Sequence, residues 1–291
     1  MNKRKVVCVC SEFEGGASMT TYTGLSPELA RSWWLLSATS DNTGRMAGTR
    51  ADVAVIDLED GVAPQRKAFA RTVARGILEQ GPAWIRINDV RSPYWRDDVE
   101  ALGELSQLSG VMIAKVDSAT DIELVSAALP APVPLVAFIE TAVALEAARE
   151  IADHPRVCRL ALGSGDLRMD LGAEPGSAIL DYARSRLVVA SRAAGLPGPI
   201  DGPSIVNDEG LVQRETASAR SLGMTGRLCL DPAHAALINT VLSPTVDDIA
   251  AARATIAQLG SDGANATKGS DIPRLRRAHR TIDLASRFDL I

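Results

Sequence analysis

Asp52-Val53-Ala54-Val55-Ile56-Asp57-Leu58-Glu59-Asp60-Gly61 joins an apolar run of strand length to a burst of charge. A strand covered on both faces reads as an unbroken apolar run, whereas a half-exposed strand alternates. Asp52–Leu58 therefore reads as a buried parallel strand. Similar runs occur at Ser32–Leu36, Ala83–Asn88, Gly110–Val116, Val133–Ile139, Val157–Leu162 and Gly226–Leu230, with a weak one at Gly198–Ile200, which makes eight strands. Helical patterns separate them, clearest at Ala63–Glu79, Ser118–Ala128, Thr141–Ala152, Ala178–Ala193 and Asp208–Leu222. Ser118 with Asp121, and Asp208 with Gly223, stand where helix caps belong.

Strands alternating with helices imply crossover units and a parallel sheet. Eight such units predict an α/β fold of the closed (β/α)8 TIM-barrel type. An open doubly wound sheet would carry a Gly-rich turn after its first strand, and Ser37-Ala38-Thr39-Ser40-Asp41 is no such turn. The expected organisation is an irregular N-terminal segment over 1–30, a barrel over 31–242 and a helical extension over 243–291. That extension reads as helices near Val246–Leu259 and Pro273–Ser286 joined by a linker at Gly260–Ser270, after a helix near Pro232–Val241.

Composition narrows the function. The 291 residues are 46% hydrophobic and 23% charged, ordinary for a globular chain. A net charge of −5 and only eleven aromatic residues disfavour a nucleic-acid binder. No apolar run approaches the roughly 18 residues of a membrane span. The run Val6–Cys10 after the basic start is too short for a secretory signal. Cys8, Cys10, Cys158 and Cys229 form no Cys-x-x-Cys pair, and His154, His234 and His279 are scattered, which argues against zinc. The expectation is a cytoplasmic protein with reduced thiols.

Catalytic groups of such barrels sit at the C-terminal ends of strands. Here those ends carry Asp57-Leu58-Glu59-Asp60-Gly61, Arg86-Ile87-Asn88, Lys115, Glu140, Gly163-Ser164-Gly165-Asp166, Asp201 and Asp231. Any one could be a cap or a solvated loop charge. Together they crowd carboxylates around one mouth, where a divalent cation, Arg86 and Lys115 would offset the repulsion. Hard oxygen ligands without clustered His or Cys point to Mg2+.

The motifs resemble those of the HpcH/HpaI aldolase and citrate lyase β-subunit family. The second strand's Asp57-Leu58-Glu59-Asp60-Gly61-Val62-Ala63-Pro64 with Lys67 and Arg71 is similar to that family's signature. So are Arg86-Ile87-Asn88, Ala114-Lys115-Val116-Asp117-Ser118, Phe138-Ile139-Glu140-Thr141 and Leu162-Gly163-Ser164-Gly165-Asp166-Leu167, the last followed by Asp170-Leu171-Gly172. Pro199-Ile200-Asp201-Gly202, Leu222-Gly223-Met224-Thr225-Gly226-Arg227-Leu228-Cys229 and Ser243-Pro244-Thr245 complete the order.

The resemblance implies a trimer or hexamer that makes or cleaves the C–C bond of a malyl-, citramalyl- or citryl-type thioester. The substrates would be a small 2-oxo acid and an acyl-CoA, with coenzyme A as substrate rather than prosthetic group. It implies Mg2+, with Mn2+ as a substitute, on Glu140 and Asp166. Arg86 would pair with the 2-oxo acid and its developing oxyanion; Glu59 and Asp60 would hold metal-bound water or orient Arg86, or else form a strand-end salt-bridge cluster. Arg31, Lys115, Gly165 and Asp201 are further substrate-binding candidates. Asp271, in Ser270-Asp271-Ile272-Pro273, resembles a base that the family's C-terminal extension offers to a neighbouring subunit; an Asp there is also a good helix cap. The chain departs from the family at Leu36-Ser37-Ala38-Thr39, where Pro-Gly is usual, and at Asp231-Pro232, where His-Pro is usual. Hydrolysis of the thioester, a different acyl carrier in specialised metabolism, and a non-catalytic role within a lyase complex are the alternatives.

Overall fold

The structure is a computed structural model that describes residues 25–39, 49–129, 133–174 and 177–291. Cys8, Cys10 and most of the segment read as irregular lie outside these residues. Eight parallel strands close on one another in chain order: β1 (Ser32–Ser37), β2 (Val53–Asp57), β3 (Ala83–Ile87), β4 (Leu108–Ile113), β5 (Leu135–Ile139), β6 (Val157–Leu162), β7 (Ile200–Asp201) and β8 (Gly226–Cys229), with β8 returning to β1. Helices α1 (Lys67–Gln80), α2 (Trp95–Leu102), α3 (Ala119–Ala128), α4 (Ala142–Asp153), α5 (Ser164–Asp170), α6 (Ile179–Ala193), α7 (Glu209–Leu222) and α8 (His234–Leu242) follow the strands. The expected TIM barrel is the observed fold.

The differences from the sequence reading are local. Strand β4 stops at Ile113 rather than Val116, because Lys115 adopts a left-handed backbone conformation (φ 48°) that no strand accommodates. Strand β7 keeps only Ile200 and Asp201. Helices α2 and α5, eight and seven residues long, are too short to show a period in sequence. The expected caps are present: Asp121 accepts the Ser118 amide (3.3 Å), Asp208 accepts the Leu211 amide (2.8 Å), and Gly223 ends α7 at φ 105°.

Side chains of a strand alternate between its faces. Trp33, Leu35, Val53, Val55, Trp84, Met112, Val136, Phe138, Ala161, Ile200 and Leu228 form one buried cluster inside the barrel. Trp33 and Trp84 meet edge to face at 5.1 Å. Continuing the alternation upward from Val55, Trp84, Phe138 and Ala161 puts Asp57, Arg86, Glu140 and Gly163 above that cluster, at the C-terminal mouth.

The chain divides into two units, Met1–Ile238 and Asn239–Ile291. The first contains the barrel. In the second, α9 (Val246–Leu259) packs on α10 (Asp271–Arg287). Thr245 and Asp248 cap α9 reciprocally, at 3.0 and 2.9 Å. Among the described residues no helix is long and apolar enough to cross a membrane.

Candidate active site

The mouth is organised around a buried ion pair. Asp57 and Arg86 are register partners on β2 and β3. Arg86 donates from Nε to Asp57 Oδ1 (2.7 Å) and from Nη2 to Asp57 Oδ2 (2.8 Å), a bidentate fork. Its Cζ lies 5.5 Å from the Phe138 ring centroid. Burial alone would lower the guanidinium pKa, but Asp57, Glu59 and Glu140 outweigh it and raise it, so Arg86 is permanently charged. The sequence places Asp57 among the charges of the mouth without giving it a role of its own. The signal was its parity with Val55, which turns it inward.

The turn after β2 carries Glu59 and Asp60. It is pinned from beneath by buried Lys67, whose Nζ donates to the carbonyls of Leu58 (2.7 Å) and Glu59 (2.9 Å) and to Asn88 Oδ1 (2.7 Å). Asn88 in turn donates to Leu58 O and Asp98, and Arg71 bridges Asp97 and Asp98. Lys67, Arg71 and Asn88, which carried part of the family signature, are thus the scaffold below the loop.

Lys115 reaches across the mouth. Its Nζ meets Glu59 Oε1 at 2.6 Å, Asp60 Oδ1 at 3.3 Å and Asp166 Oδ2 at 3.3 Å. Burial opposes its charge, but these carboxylates raise its pKa. Burial raises Glu59, against the pull of Arg86 and Lys115. For Asp60 burial also acts upward, but its hydrogen bond with Glu59 and the Lys115 and Arg86 charges prevail and lower it. The adjacent carboxylates are therefore driven in opposite directions.

Glu140, at the end of β5, is 2% exposed. Its Oε1 accepts the Lys115 amide (2.9 Å), a contact that the left-handed turn at Lys115 permits. Burial pushes its pKa up to about 8, against the pull of Arg86 and the Lys115 amide, and the charges of Glu59 and Asp166 add to the rise. Asp166 projects from the first turn of α5. Among the described residues no three His, Cys, Asp or Glu groups gather as a metal cluster. Glu140 and Asp166 are two carboxylates at the mouth, a number within the one or two that Mg2+ takes when substrate and water complete its shell. Buried Glu140 and half-exposed Asp166, whose charges repel, suit a divalent cation, so these residues fit Mg2+.

Gly163 rather than Gly165 is the glycine this geometry requires. A Cβ on Gly163 would stand 2.4 Å from Glu140 Oε2, while Gly165 faces open space.

Two substrate-binding candidates lie elsewhere. Arg31 precedes β1 and forks onto Asp52, which precedes β2, at 2.8 and 3.0 Å. Both are at the N-terminal end of the strands, away from the mouth, and the charge read as a ligand contact is a structural pair. Asp201 follows inward-facing Ile200 and so points at the helix layer, where it binds Arg184 (2.9 Å) and Arg227 (2.6 Å). Arg227 also meets Glu215 (2.6 Å), so Asp201 joins β7 and β8 to α6 and α7. Asp231 accepts the Ala233 amide (2.9 Å) as a turn residue. In the C-terminal unit, buried Asp271 accepts the amides of Thr267 (3.0 Å) and Lys268 (2.9 Å) and meets Arg274 (3.3 Å). The two amides hold its carboxyl below the usual range.

Comparison with known proteins fits this arrangement. The sequence profile of the HpcH/HpaI aldolase/citrate lyase matches residues 31–232, and that of the HpcH/HpaI aldolase C-terminal domain matches residues 247–289. A (3S)-malyl-CoA thioesterase of Cereibacter sphaeroides is 34% identical over 218 residues, covering 72% of this chain and 75% of the relative. An L-malyl-CoA/beta-methylmalyl-CoA lyase of the same species is 32% identical over 279 residues, covering 80% and 87%. The structure of CitE from Mycobacterium tuberculosis with magnesium, acetoacetate and coenzyme A superposes with a TM-score of 0.75 at 26% identity, covering 89% of this chain and 99% of that one.

Proposed function

Because the chain belongs to the HpcH/HpaI aldolase/citrate lyase family, we propose that it is a carbon–carbon lyase or aldolase acting on CoA thioesters. In finer terms it is Mg2+-dependent and interconverts a 3-hydroxyacyl-CoA of the malyl, citramalyl or citryl type with a 2-oxo acid and an acyl-CoA. The observation that carries this reading is the guanidinium of Arg86, fixed by Asp57 and facing the Glu140–Asp166 pair across one mouth.

Glu140 and Asp166 would hold the metal, with Mn2+ as a substitute; when bound, it supplies Lewis-acid polarisation of the 2-oxo acid's carbonyl. Arg86 binds the substrate carboxylate and stabilises the oxygen that gains charge as the C–C bond forms or breaks. Lys115 and Asp60 keep Glu59 in place beside that guanidinium. In cleavage a base removes the proton of the 3-hydroxyl, the C2–C3 electron pair passes to the thioester, and the acyl-CoA carbanion equivalent is protonated. In synthesis the base takes the α-proton of the acyl-CoA. We assign this base to Asp271, presented by a neighbouring copy in a homotrimer or hexamer. Its carboxylate is ionised at neutral pH, as a proton acceptor must be.

A second reading, hydrolysis of the malyl-type thioester, is supported by the thioesterase relatives. One assay separates the two. Incubating the protein and Mg2+ with acetyl- or propionyl-CoA and glyoxylate, pyruvate or oxaloacetate is expected to give a hydroxyacyl-CoA mass that EDTA abolishes. Given malyl-CoA instead, release of free malate and CoA without glyoxylate and acetyl-CoA selects the thioesterase; no product from either incubation overturns both. Mixed oligomers of Asp271→Asn and Arg86→Ala chains are expected to regain turnover, and failure to do so removes the base assignment.

A further inference from the structure

Asp57 carries no assigned role, yet its carboxylate has the fullest set of partners at the mouth. It accepts Arg86 Nε (2.7 Å) and Nη2 (2.8 Å), the Glu59 amide (2.8 Å) and the Gly61 amide (2.8 Å), and is 2% exposed. Four donors use the acceptor capacity of one ionised carboxyl. Two of them are the parallel arms of a planar fork, which removes the rotational freedom a lysine or a singly bonded arginine would retain.

The remaining edge of the guanidinium is Nη1. It lies 3.1 Å from Glu59 Oε2, a buried oxygen that has no aligned hydrogen bond. With Nε and Nη2 committed to Asp57, Nη1, beside Glu59, is the nitrogen that the fork leaves over. The amides of Glu59 and Gly61 bracket Asp60, so the same carboxylate also sets the turn that carries Glu59 and Asp60.

We propose that Asp57 is a positioning residue for the reaction: it touches no substrate, but fixes Arg86 so that Nη1 meets the substrate carboxylate or oxyanion, and it anchors the Glu59–Asp60 turn to the same frame. The proposal rests on the lyase reading for its kinetic consequence, while its geometric part stands without it.

The test uses full-length protein. In Arg86→Ala, added methylguanidinium is expected to restore Mg2+-dependent turnover at least tenfold, because Asp57 still provides a docking fork for the free cation. In Asp57→Asn/Arg86→Ala the same addition is expected to restore less than twofold. Equal rescue in both would overturn the proposal. Asp57→Glu, which keeps the charge but displaces the fork by one methylene, is expected to stay folded and to lose ten- to a hundredfold in kcat/KM; unchanged kcat/KM would also count against it. Independently of activity, the Nε–H proton resonance of Arg86, assigned by its loss in Arg86→Lys, is expected to be slow to exchange and to move or vanish in Asp57→Glu. An unshifted resonance overturns the proposal. A shifted resonance in a protein that turns over no thioester leaves the positioning geometry standing and removes the lyase reading alone.

Discussion

Two arginines are buried inside the barrel, and they are used in opposite ways. Arg86 sits at the mouth on β3 and Arg159 at the base on β6, 5% and 0% exposed. Each lies beside an aromatic ring, Phe138 at 5.5 Å and Trp33 at 5.8 Å. Arg86 is paired with carboxylates and its pKa is raised. Arg159 donates only to neutral acceptors: the carbonyls of Pro27, Ala30, Gly198 and Pro199 and the hydroxyl of Thr225. Burial pulls its pKa down to about 10, only partly offset by nearby Cys158 and Glu28. Arg159 spends every arm joining the segment before β1 to the approaches of β7 and β8. Arg86 gives two nitrogens to Asp57 and sets the third, Nη1, beside Glu59 at the mouth (3.1 Å). The base of such a barrel is organised for stability and the top for chemistry, and here one residue type serves both because its partners differ.

Substitution should separate the two jobs. Arg86→Lys keeps a cation against Asp57 but loses the fork. It is expected to lower kcat/KM by about 100- to 1000-fold, the scale of one lost oxyanion donor, with little change in the denaturant midpoint. Arg159→Met should do the reverse. It removes every hydrogen bond of a buried cation, at about 1.5–3 kcal/mol for each bond to a charged group, although Trp33, Thr225 and Gly226 still donate to the carbonyls of Ala30, Gly198 and Pro199. Unfolding in urea should therefore show a loss of at least about 3 kcal/mol while the folded fraction keeps its kcat. A stable Arg159→Met protein, or a fully active Arg86→Lys one, would break the contrast.

Glycines sharpen it further. A Cβ on Gly163 would press on Glu140 Oε2 (2.4 Å), and one on Gly226 on Arg159 Nη2 (2.8 Å). Gly163→Ala is expected to weaken Mg2+ binding by about 10- to 100-fold, as lost support of a ligand does. Gly226→Ala should leave Mg2+ binding alone and cost about 1–3 kcal/mol of stability through overpacking. Calorimetric titration with Mg2+ and thermal melts of both variants decide the point; exchanged phenotypes would contradict the assignment of mouth and base.

How much of this was legible beforehand follows from parity and length. The run Val53-Ala54-Val55-Ile56 announced a strand buried on both faces, and charges at strand ends announced the mouth. An unbroken apolar run, however, hides which residues face inward. Asp201, expected at the mouth, turns to the helix layer because Ile200 points into the barrel. Asp57, counted among the charges of the mouth, gets no role of its own from the motifs although Val55 gives it the inward parity. Arg31 marks the beginning of a strand, where no ligand site is expected. Arg159, within Val157-Cys158-Arg159-Leu160, reads like an outward-facing charge; only the closed barrel reveals the carbonyls waiting for it. The left-handed turn at Lys115, which ends β4 and delivers an amide to Glu140, has no sequence signal, since Lys is not a residue that favours that conformation.

The smallest expected effect is one of pH, and it again divides the mouth from the base. In the folded chain Glu140 loses its proton near pH 8, whereas an unfolded glutamate does so near 4.5. Between those values the folded state binds more protons than the unfolded one, so without metal this group makes stability fall as pH rises from about 5 to 8. A cation on Glu140 and Asp166 must displace that proton. Apparent Mg2+ affinity should therefore weaken by up to about tenfold per pH unit below 8, with proton release on binding. The rise in melting temperature caused by Mg2+ should accordingly be larger at pH 8 than at pH 6.5. Arg159, charged throughout this range, should add no slope, so Arg159→Lys is expected to melt lower but keep the same Mg2+ and pH response. In Glu140→Gln the difference between the two pH values should vanish. If it persists, the proton that Mg2+ displaces is not on Glu140, and the metal site must be drawn around other carboxylates of the mouth.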